Sequence, residues 1–184
     1  MEFRKHCVNI FHRAATGTKK TRLALTPIGL TIFSVFTALF VLAAIFVDRL
    51  LGLPGLLPPG ARLPIALPLM AAGVFITVWS AFQFIKVKGT PVPFNPPPQV
   101  VRTGPYRFVR NPMLCGVFLL LFGIGFAVNS VSLVVFFTPL YVLLNMWELL
   151  HIEEPELVKR LGNAYIEYRK KTPMFIPGYR PKLK

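Results

Sequence analysis

The uncharged stretch from Asn111 to Trp147, NPMLCGVFLLLFGIGFAVNSVSLVVFFTPLYVLLNMW, decides how the rest of the chain is arranged. Its 37 residues exceed the roughly 20 residues of helix that cross a bilayer core. Asn129-Ser130, two residues typical of turns, lies near its middle. The stretch therefore predicts a helical hairpin of two short spans, 112–128 and 131–147, with Pro139 kinking the second.

Two further uncharged runs precede this hairpin. Residues 23–47 and 63–85 contain 25 and 23 residues without a charge, so each is long enough to cross a bilayer. The chain is 54% hydrophobic, with a mean hydropathy of +0.57. We therefore expect an all-α integral membrane protein with four transmembrane helices. Gly116 and Gly123, seven residues apart on one face of the third span, favour close helix packing there.

The basic residues are concentrated in three segments. Residues 1–22, 86–110 and 148–184 hold six, five and eight Lys or Arg residues, whereas the 48–62 loop holds two. With four spans, all three basic segments fall on one side of the membrane. The positive-inside rule predicts that this side, with both termini, is cytoplasmic. The predicted localisation is integral membrane and multi-pass.

The segments outside the spans complete a single predicted membrane domain, 1–184. Residues 1–22 have apolar positions at helical spacing, which indicates a basic interfacial helix, or alternatively a frayed basic tail. Residues 148–184 indicate a cytoplasmic amphipathic helix that begins near Pro155. The net charge of +14 is interleaved with the spans, so anionic membrane lipids are the expected partners. Neither nucleic acid nor an obligate protein partner is expected.

Two polar islands border the hairpin. The first is Arg102–Gly116, with three arginines among prolines and glycines, and the second is Glu153-Glu154-Pro155. The hairpin returns the chain to the side that it left, so both islands are expected at the cytoplasmic face. Interfacial ion pairs that anchor the hairpin ends would explain them. A cleft for a small polar ligand beside the lipid would explain them as well.

At these islands the sequence resembles the isoprenylcysteine carboxyl methyltransferase and phospholipid methyltransferase family of integral membrane enzymes. The first motif resembles Gly-x-Tyr-x-x-x-Arg-His-Pro-x-x-x-Gly, and the second resembles Glu-Glu-x-x-Leu-x-x-x-(Phe/Leu)-Gly-x-x-Tyr-x-x-Tyr. The matching residues are Gly104, Tyr106, Arg110, Asn111, Pro112 and Gly116, then Glu153, Glu154, Leu157, Leu161, Gly162, Tyr165 and Tyr168. The resemblance covers about residues 99–177.

The resemblance implies methyl transfer from S-adenosylmethionine to a lipid, lipid-linked or other hydrophobic acceptor at the cytoplasmic membrane face. The cofactor-binding residues that it implies are Val101, Arg102, Gly104, Tyr106, Asn111, Pro112, Met113, Glu153 and Glu154. Tyr106 would either pack on the adenine or order its turn. The candidate catalytic residues are Arg107, Arg110 and Glu154, where either arginine could hold an acidic acceptor group. No metal is expected.

One residue departs from the pattern, because position 111 is Asn where most of the family has His. An amide offers a donor and an acceptor but does not titrate, so a mechanism with a histidine base at this position is excluded. His151, three residues before Glu154 on a helix, is either a base near the acceptor or a structural hydrogen-bonding group. Two other functions remain open at this point: a sterol-reductase-like NADPH oxidoreductase and a non-catalytic membrane scaffold.

Overall fold

The computed structural model of the chain describes residues 2–87, 89–90 and 95–178, without the side chains of Phe3, Arg4, Lys5 and Lys19. Within these residues the secondary structure is helical and contains no strand. The prediction of an all-α protein is confirmed.

Seven α-helices and one short 3₁₀ turn make up the described chain. They are α1 (Glu2–Ala15), α2 (Lys19–Leu51), α3 (Pro59–Lys86), the 3₁₀ turn (Gly104–Arg107), α4 (Pro112–Ala127), α5 (Thr138–Glu148), α6 (Glu154–Leu161) and α7 (Asn163–Lys171). Single π-helical turns at Leu133–Phe137 and Leu149–Glu153 join the helical segments on either side of them.

Three helices of the described chain are long and apolar enough to cross a membrane. They are Lys20–Leu51, Pro59–Lys86 and the continuous run Leu133–Leu161, and the shorter apolar helix is α4. The helices extend beyond the uncharged runs because polar residues continue them outside the apolar part. Residues 19–22, assigned from sequence to the interfacial segment, belong to α2, where the Thr18 hydroxyl accepts the Thr21 backbone N–H at 3.3 Å and caps the first turn.

Each π turn lies immediately before a proline. Thr138 N–H donates to Leu133 O ahead of Pro139, and Glu154 N–H donates to Leu149 O ahead of Pro155. A proline lacks the N–H that would continue the regular ladder, and its ring crowds the preceding turn. The wider π turn accommodates that defect without ending the helix. The segment after Trp147, predicted from sequence to start a separate helix near Pro155, is therefore continuous with the helix before it.

The chain forms two compact units, each assembled from separated segments. The second unit consists of Ile32–Val78 and Met113–Asn145. Within it α3 and α4 are in close contact, because a Cβ at Gly116 would lie 2.6 Å from the Gly73 carbonyl oxygen. A Cβ at Gly123 would lie 2.5 Å from Met70 Cγ. The close packing predicted from these two glycines is confirmed.

The core of the second unit contains Tyr141, which is fully buried. Its hydroxyl is 2.8 Å from Thr37 Oγ1 on α2, and four phenylalanine rings surround it: Phe33, Phe36, Phe40 and Phe118. The predicted turn after α4 is present. There Asn129 adopts a left-handed φ of 59° and its side-chain oxygen accepts Leu57 N–H at 2.9 Å.

The first unit consists of the described parts of Met1–Thr31, Trp79–Pro112 and Met146–Lys184. It contains α1, the end of α3, the connector with its 3₁₀ turn, α6 and α7. Both polar islands identified in the sequence contribute to this unit. The candidate site therefore lies in this unit.

Candidate functional site

The 3₁₀ turn of the first island is held against the end of α3. Gly104 has a φ of +58°, a conformation that suits glycine. A Cβ at this position would lie 2.7 Å from Gln83 Cδ. Gln83 is buried, and its side-chain oxygen accepts the Thr103 hydroxyl at 3.0 Å. The glycine is therefore required both by the backbone and by the close approach of α3.

Tyr106, in the same turn, is buried by protein contacts. Its ring meets Phe84 edge-on at a centroid distance of 5.1 Å, and its carbonyl oxygen accepts the Tyr168 hydroxyl at 2.6 Å. These contacts favour the turn-ordering role over adenine packing. Burial, followed by the nearby Glu153 carboxylate, raises the pKa of Tyr106 well above its usual range. Burial also raises the pKa of Tyr168, so both hydroxyls stay protonated.

Arg110 joins the first island to the end of the chain. Its Nη1 donates to the carbonyl oxygens of Thr172 at 2.8 Å and Arg169 at 3.1 Å. Its backbone N–H donates to Pro173 O at 2.8 Å, and Asn111 N–H donates to Met174 O at 3.2 Å. The Arg110 guanidinium and the backbone at positions 110–111 therefore hold the segment after α7 against the first island.

Glu154 is the carboxylate that completes this cluster. Arg110 Nη2 lies 2.6 Å from Glu154 Oε1, and the two side chains are only 9% and 4% exposed. Arg169 Nη1 lies 3.5 Å from the other carboxylate oxygen. A buried carboxylate needs such partners, because an uncompensated charge is unstable inside protein. The two islands thus meet at Arg110 and Glu154.

The other candidate residues differ in their surroundings. Val101 and Pro112 are buried, and Arg102 is exposed with its Nη2 on the Ala164 carbonyl oxygen at 2.7 Å. Arg107 is exposed, with its guanidinium 5.3 Å from the centre of the Phe108 ring. Met113, at the start of α4, belongs to the second compact unit.

Asn111 and Glu153 have side chains without hydrogen-bond partners among the residues that the structure describes. Both are half-buried. Glu153 lines a small cavity of about 30 Å³ together with Phe11, Pro96, Glu156, Leu157 and Arg160. An amide and a carboxylate that are not used by the fold are suited to hydrogen-bond a polar ligand. Glu153 and Glu154, adjacent in sequence, therefore have different roles: Glu154 is satisfied by two arginines and Glu153 is not.

Sequence reasoning missed the contribution of α1 and Arg160. The Arg160 side chain is only 10% exposed, and its Nε lies 2.9 Å from Glu156 Oε1. His12 of α1 lies 3.4 Å from the same oxygen, and Lys159 donates to the Asn9 side chain at 2.9 Å. The spacing of Glu156 and Arg160, four residues apart, was the available signal for their pairing.

His151 is not placed against Glu154. Its Nδ1 is 2.8 Å from the Trp147 carbonyl oxygen, and its ring stacks on the Trp147 ring at a centroid distance of 5.1 Å. In a regular α-helix, residues three apart such as His151 and Glu154 lie on the same face. The π turn at Leu149–Glu153 changes this angular spacing. These contacts support the structural role among the two that the sequence left open.

Comparison with known proteins gives one result. The family model for phospholipid methyltransferases matches residues 61–164, which is more than half of the chain and includes both polar islands. No curated protein and no solved structure gives a significant match.

Proposed function

This chain belongs to the phospholipid methyltransferase family of membrane enzymes, and from that premise we propose that it transfers the methyl group of S-adenosylmethionine to a lipid, lipid-linked or other hydrophobic acceptor. The observation that carries the proposal is the buried Arg110–Glu154 pair at 2.6 Å. This pair brings the two family motifs together beside Glu153, a carboxylate that the described residues leave without a partner.

The proposed cofactor site uses the residues implied by the family resemblance. Those of the first unit that would contact the cofactor are Val101, Arg102, Gly104, Asn111, Pro112 and Glu153, and Tyr106 and Glu154 would hold them in position. The donor set fits the group, since Glu153 can accept from hydroxyl or ammonium groups and the Asn111 amide can both donate and accept. When bound, S-adenosylmethionine supplies a methyl group on a sulfonium sulfur that is already a good leaving group.

The chain's own residues then mainly position the cofactor and the acceptor, because the sulfonium leaving group needs little acid catalysis. Arg110 and Glu154 satisfy one another and hold the two motifs in register, so we assign them a positioning role. Arg107 is exposed and makes no ion pair among the described residues. We therefore propose Arg107 as the group that contacts a phosphate or carboxylate of the acceptor.

The proposed topology follows from the apolar helices and the basic segments. We propose four spans, with α4 as the third and both termini on the cytoplasmic side. Residues 148–184 then extend from the membrane boundary into the cytoplasm, and cofactor reaches the first unit from that side. An apolar groove of about 510 Å³ in the second unit, between α2 and α4, supports a hydrophobic acceptor.

The experiment that tests this function is titration calorimetry of the purified protein in detergent, with S-adenosylmethionine and NADPH as separate ligands. We expect S-adenosylmethionine to bind and NADPH not to bind. A methyl-acceptor assay with labelled cofactor and lipid extracts then identifies the acceptor. Arg107→Gln should keep cofactor affinity and lose about tenfold or more in kcat/KM for an anionic acceptor.

The matched control for Arg107 is Arg13→Gln, which removes one exposed positive charge from α1. It should leave kcat/KM within about twofold, because a single distant surface charge has little effect. Binding of NADPH instead of S-adenosylmethionine would support the reductase function. Binding of neither ligand would leave the scaffold function and contradict the methyltransferase proposal.

A further inference from the structure

The cavity at Glu153 contains an arginine that the family motifs do not include. Its lining residues are Phe11, Pro96, Glu153, Glu156, Leu157 and Arg160. The volume of about 30 Å³ is roughly two to three times what one water molecule needs, about 10–15 Å³ on the same measure. The cavity therefore has room for a charged end group of a ligand and not for a whole nucleoside.

Arg160 has one donor group that the fold does not use. Its Nε donates to Glu156 Oε1 at 2.9 Å and its Nη1 donates to the Pro97 carbonyl oxygen at 2.8 Å. Its Nη2 is buried and has no hydrogen-bond partner among the described residues. The side chain is 90% buried, and a buried guanidinium N–H without a partner is unfavourable unless a ligand or water accepts from it.

Glu153 supplies the complementary group on the same cavity. Its carboxylate has no hydrogen bond or ion pair with any residue in the described ranges. Burial, and then the like charges of Glu148, Glu156 and Glu154, raise the pKa of Glu153 to about 8, whereas the positive charge of Arg160 lowers it. A positively charged donor from a ligand would offset this repulsion. One cavity therefore offers an unused cationic donor and an unused carboxyl group, and a cationic ligand group would favour the ionised form of that carboxyl.

We propose that Arg160 and Glu153 form the subsite for the α-amino-acid end of S-adenosylmethionine. Arg160 Nη2 binds the ligand carboxylate, and Glu153 binds the ligand ammonium group. Such charge-assisted hydrogen bonds are stronger than those between neutral groups. This inference rests on the proposed function and adds to it Arg160, a binding residue outside the motifs that carry the family resemblance.

Two neighbours keep the subsite in place. Glu156 is 6% exposed and fixes the Arg160 guanidinium through Nε, and His12 of α1 approaches the same carboxylate oxygen. Phe11, also on α1, forms an apolar wall of the cavity. Exclusion of water by such a wall strengthens the charged contacts inside. The N-terminal helix thereby contributes to the subsite as well as to the fold.

The test compares S-adenosylmethionine with decarboxylated S-adenosylmethionine, which keeps the sulfonium and ammonium groups and lacks the carboxylate. Calorimetry would measure both affinities for the wild type, Arg160→Gln and the control Lys171→Gln. We expect the wild type to prefer the carboxylated ligand by about tenfold to a hundredfold. Arg160→Gln should lose most of that preference. Lys171→Gln removes the same charge from an exposed position on α7 and should keep the preference.

The ratio of the two affinities separates ligand contact from a general structural effect. A wild type that binds both ligands equally overturns the inference, and so does an Arg160→Gln variant that keeps the preference. If Arg160→Gln fails to fold, the ratio of the two ligand affinities is measured for Arg160→Lys and for the wild type, and these ratios decide whether Arg160 contacts the carboxylate. A wild type that binds neither ligand contradicts the proposed function itself, which is a distinguishable result.

Discussion

Two arginines three positions apart, Arg107 and Arg110, have opposite surroundings. Arg110 is 9% exposed and is bound by Glu154 and by two carbonyl oxygens after α7, whereas Arg107 lies at the surface beside Phe108. From the sequence alone, both arginines are candidates to bind an acidic acceptor group. Only the contacts of the folded chain distinguish a positioning arginine from one that is free to meet a ligand.

Replacing Glu154 should destabilise the protein strongly. Glu154→Gln leaves Arg110 and Arg169 without their shared buried anion, and such a loss typically costs about 3–5 kcal/mol. Thermal unfolding in detergent would measure this loss of stability. The control Glu167→Gln removes an exposed carboxylate, 54% accessible and paired with Lys170, and should change stability by about 0.5 kcal/mol or less. Equal effects of the two substitutions would contradict a structural role of the buried pair.

Gly104 provides a second test at a single residue. Gly104→Ala combines a left-handed φ with a Cβ that would lie 2.7 Å from Gln83 Cδ. We expect a loss of about 1–3 kcal/mol, measured by thermal unfolding. Gly60→Ala is the control, because no atom lies within 4 Å of its Cβ position and it belongs to α3. Alanine favours a helix, so that variant should be neutral or slightly stabilised.

At the scale of elements, α1 is docked by polar contacts near its C-terminal half. His12 reaches Glu156, and Asn9 accepts from Lys159. The sequence predicted either an interfacial helix or a frayed tail for this segment. The helix itself and these contacts exclude a frayed tail for residues 2–15. Its behaviour at a membrane surface stays a prediction.

The double substitution Asn9→Ala and His12→Ala should release α1 locally. The double substitution removes the side-chain hydrogen bonds from α1 to Glu156 and Lys159, so the backbone amides of α1 should exchange with solvent about tenfold faster or more while the unfolding temperature changes little. Hydrogen exchange measured by mass spectrometry would follow residues 2–15. His6→Ala, an exposed substitution on the same helix, should leave the exchange unchanged. A large drop in global stability would show instead that α1 is part of the main cooperative unit.

Element boundaries show what sequence could predict and what it could not. The apolar runs predicted the helices, and Asn129-Ser130 predicted the turn after α4, because hydrophobic length and turn chemistry are local properties. The π turns before Pro139 and Pro155 were not predicted, since a proline in a helix is compatible with a kink, a break or a wider turn. The burial of Arg160 and the docking of α1 depend on contacts between distant segments, which periodicity alone does not report.

At the scale of the whole molecule, the candidate site could be predicted in part. The two islands could be paired because a hairpin returns the chain to one side, a topological argument that needs no atomic detail. The arrangement within the site could not be derived, because adjacent carboxylates such as Glu153 and Glu154 look equivalent in sequence. Their difference arises from which side chains of α7 and the connector reach them.

The proposed membrane sidedness has a direct test in vesicles of known orientation. Cys7 and Cys115 are not disulfide-bonded, so Cys115→Ser leaves one reporter on α1. We expect Cys7 to react with an impermeant thiol reagent from the cytoplasmic side only. Leu53→Cys, in a background without the two native cysteines, reports on the loop between α2 and α3 and should react from the opposite side only. Labelling of both reporters from one side would contradict the four-span topology.

The contacts of Arg110 with residues after α7 also have a consequence for biosynthesis. Arg110 and the carbonyl oxygen of Thr172 that it binds are 62 positions apart in the chain, so a ribosome completes the first partner long before the second. Until residues 172–174 leave the exit tunnel, the arginine and the connector around it lack their final partners. The membrane helices can insert as they are made, but the proposed cofactor site should form only after residues 172–174 have been translated.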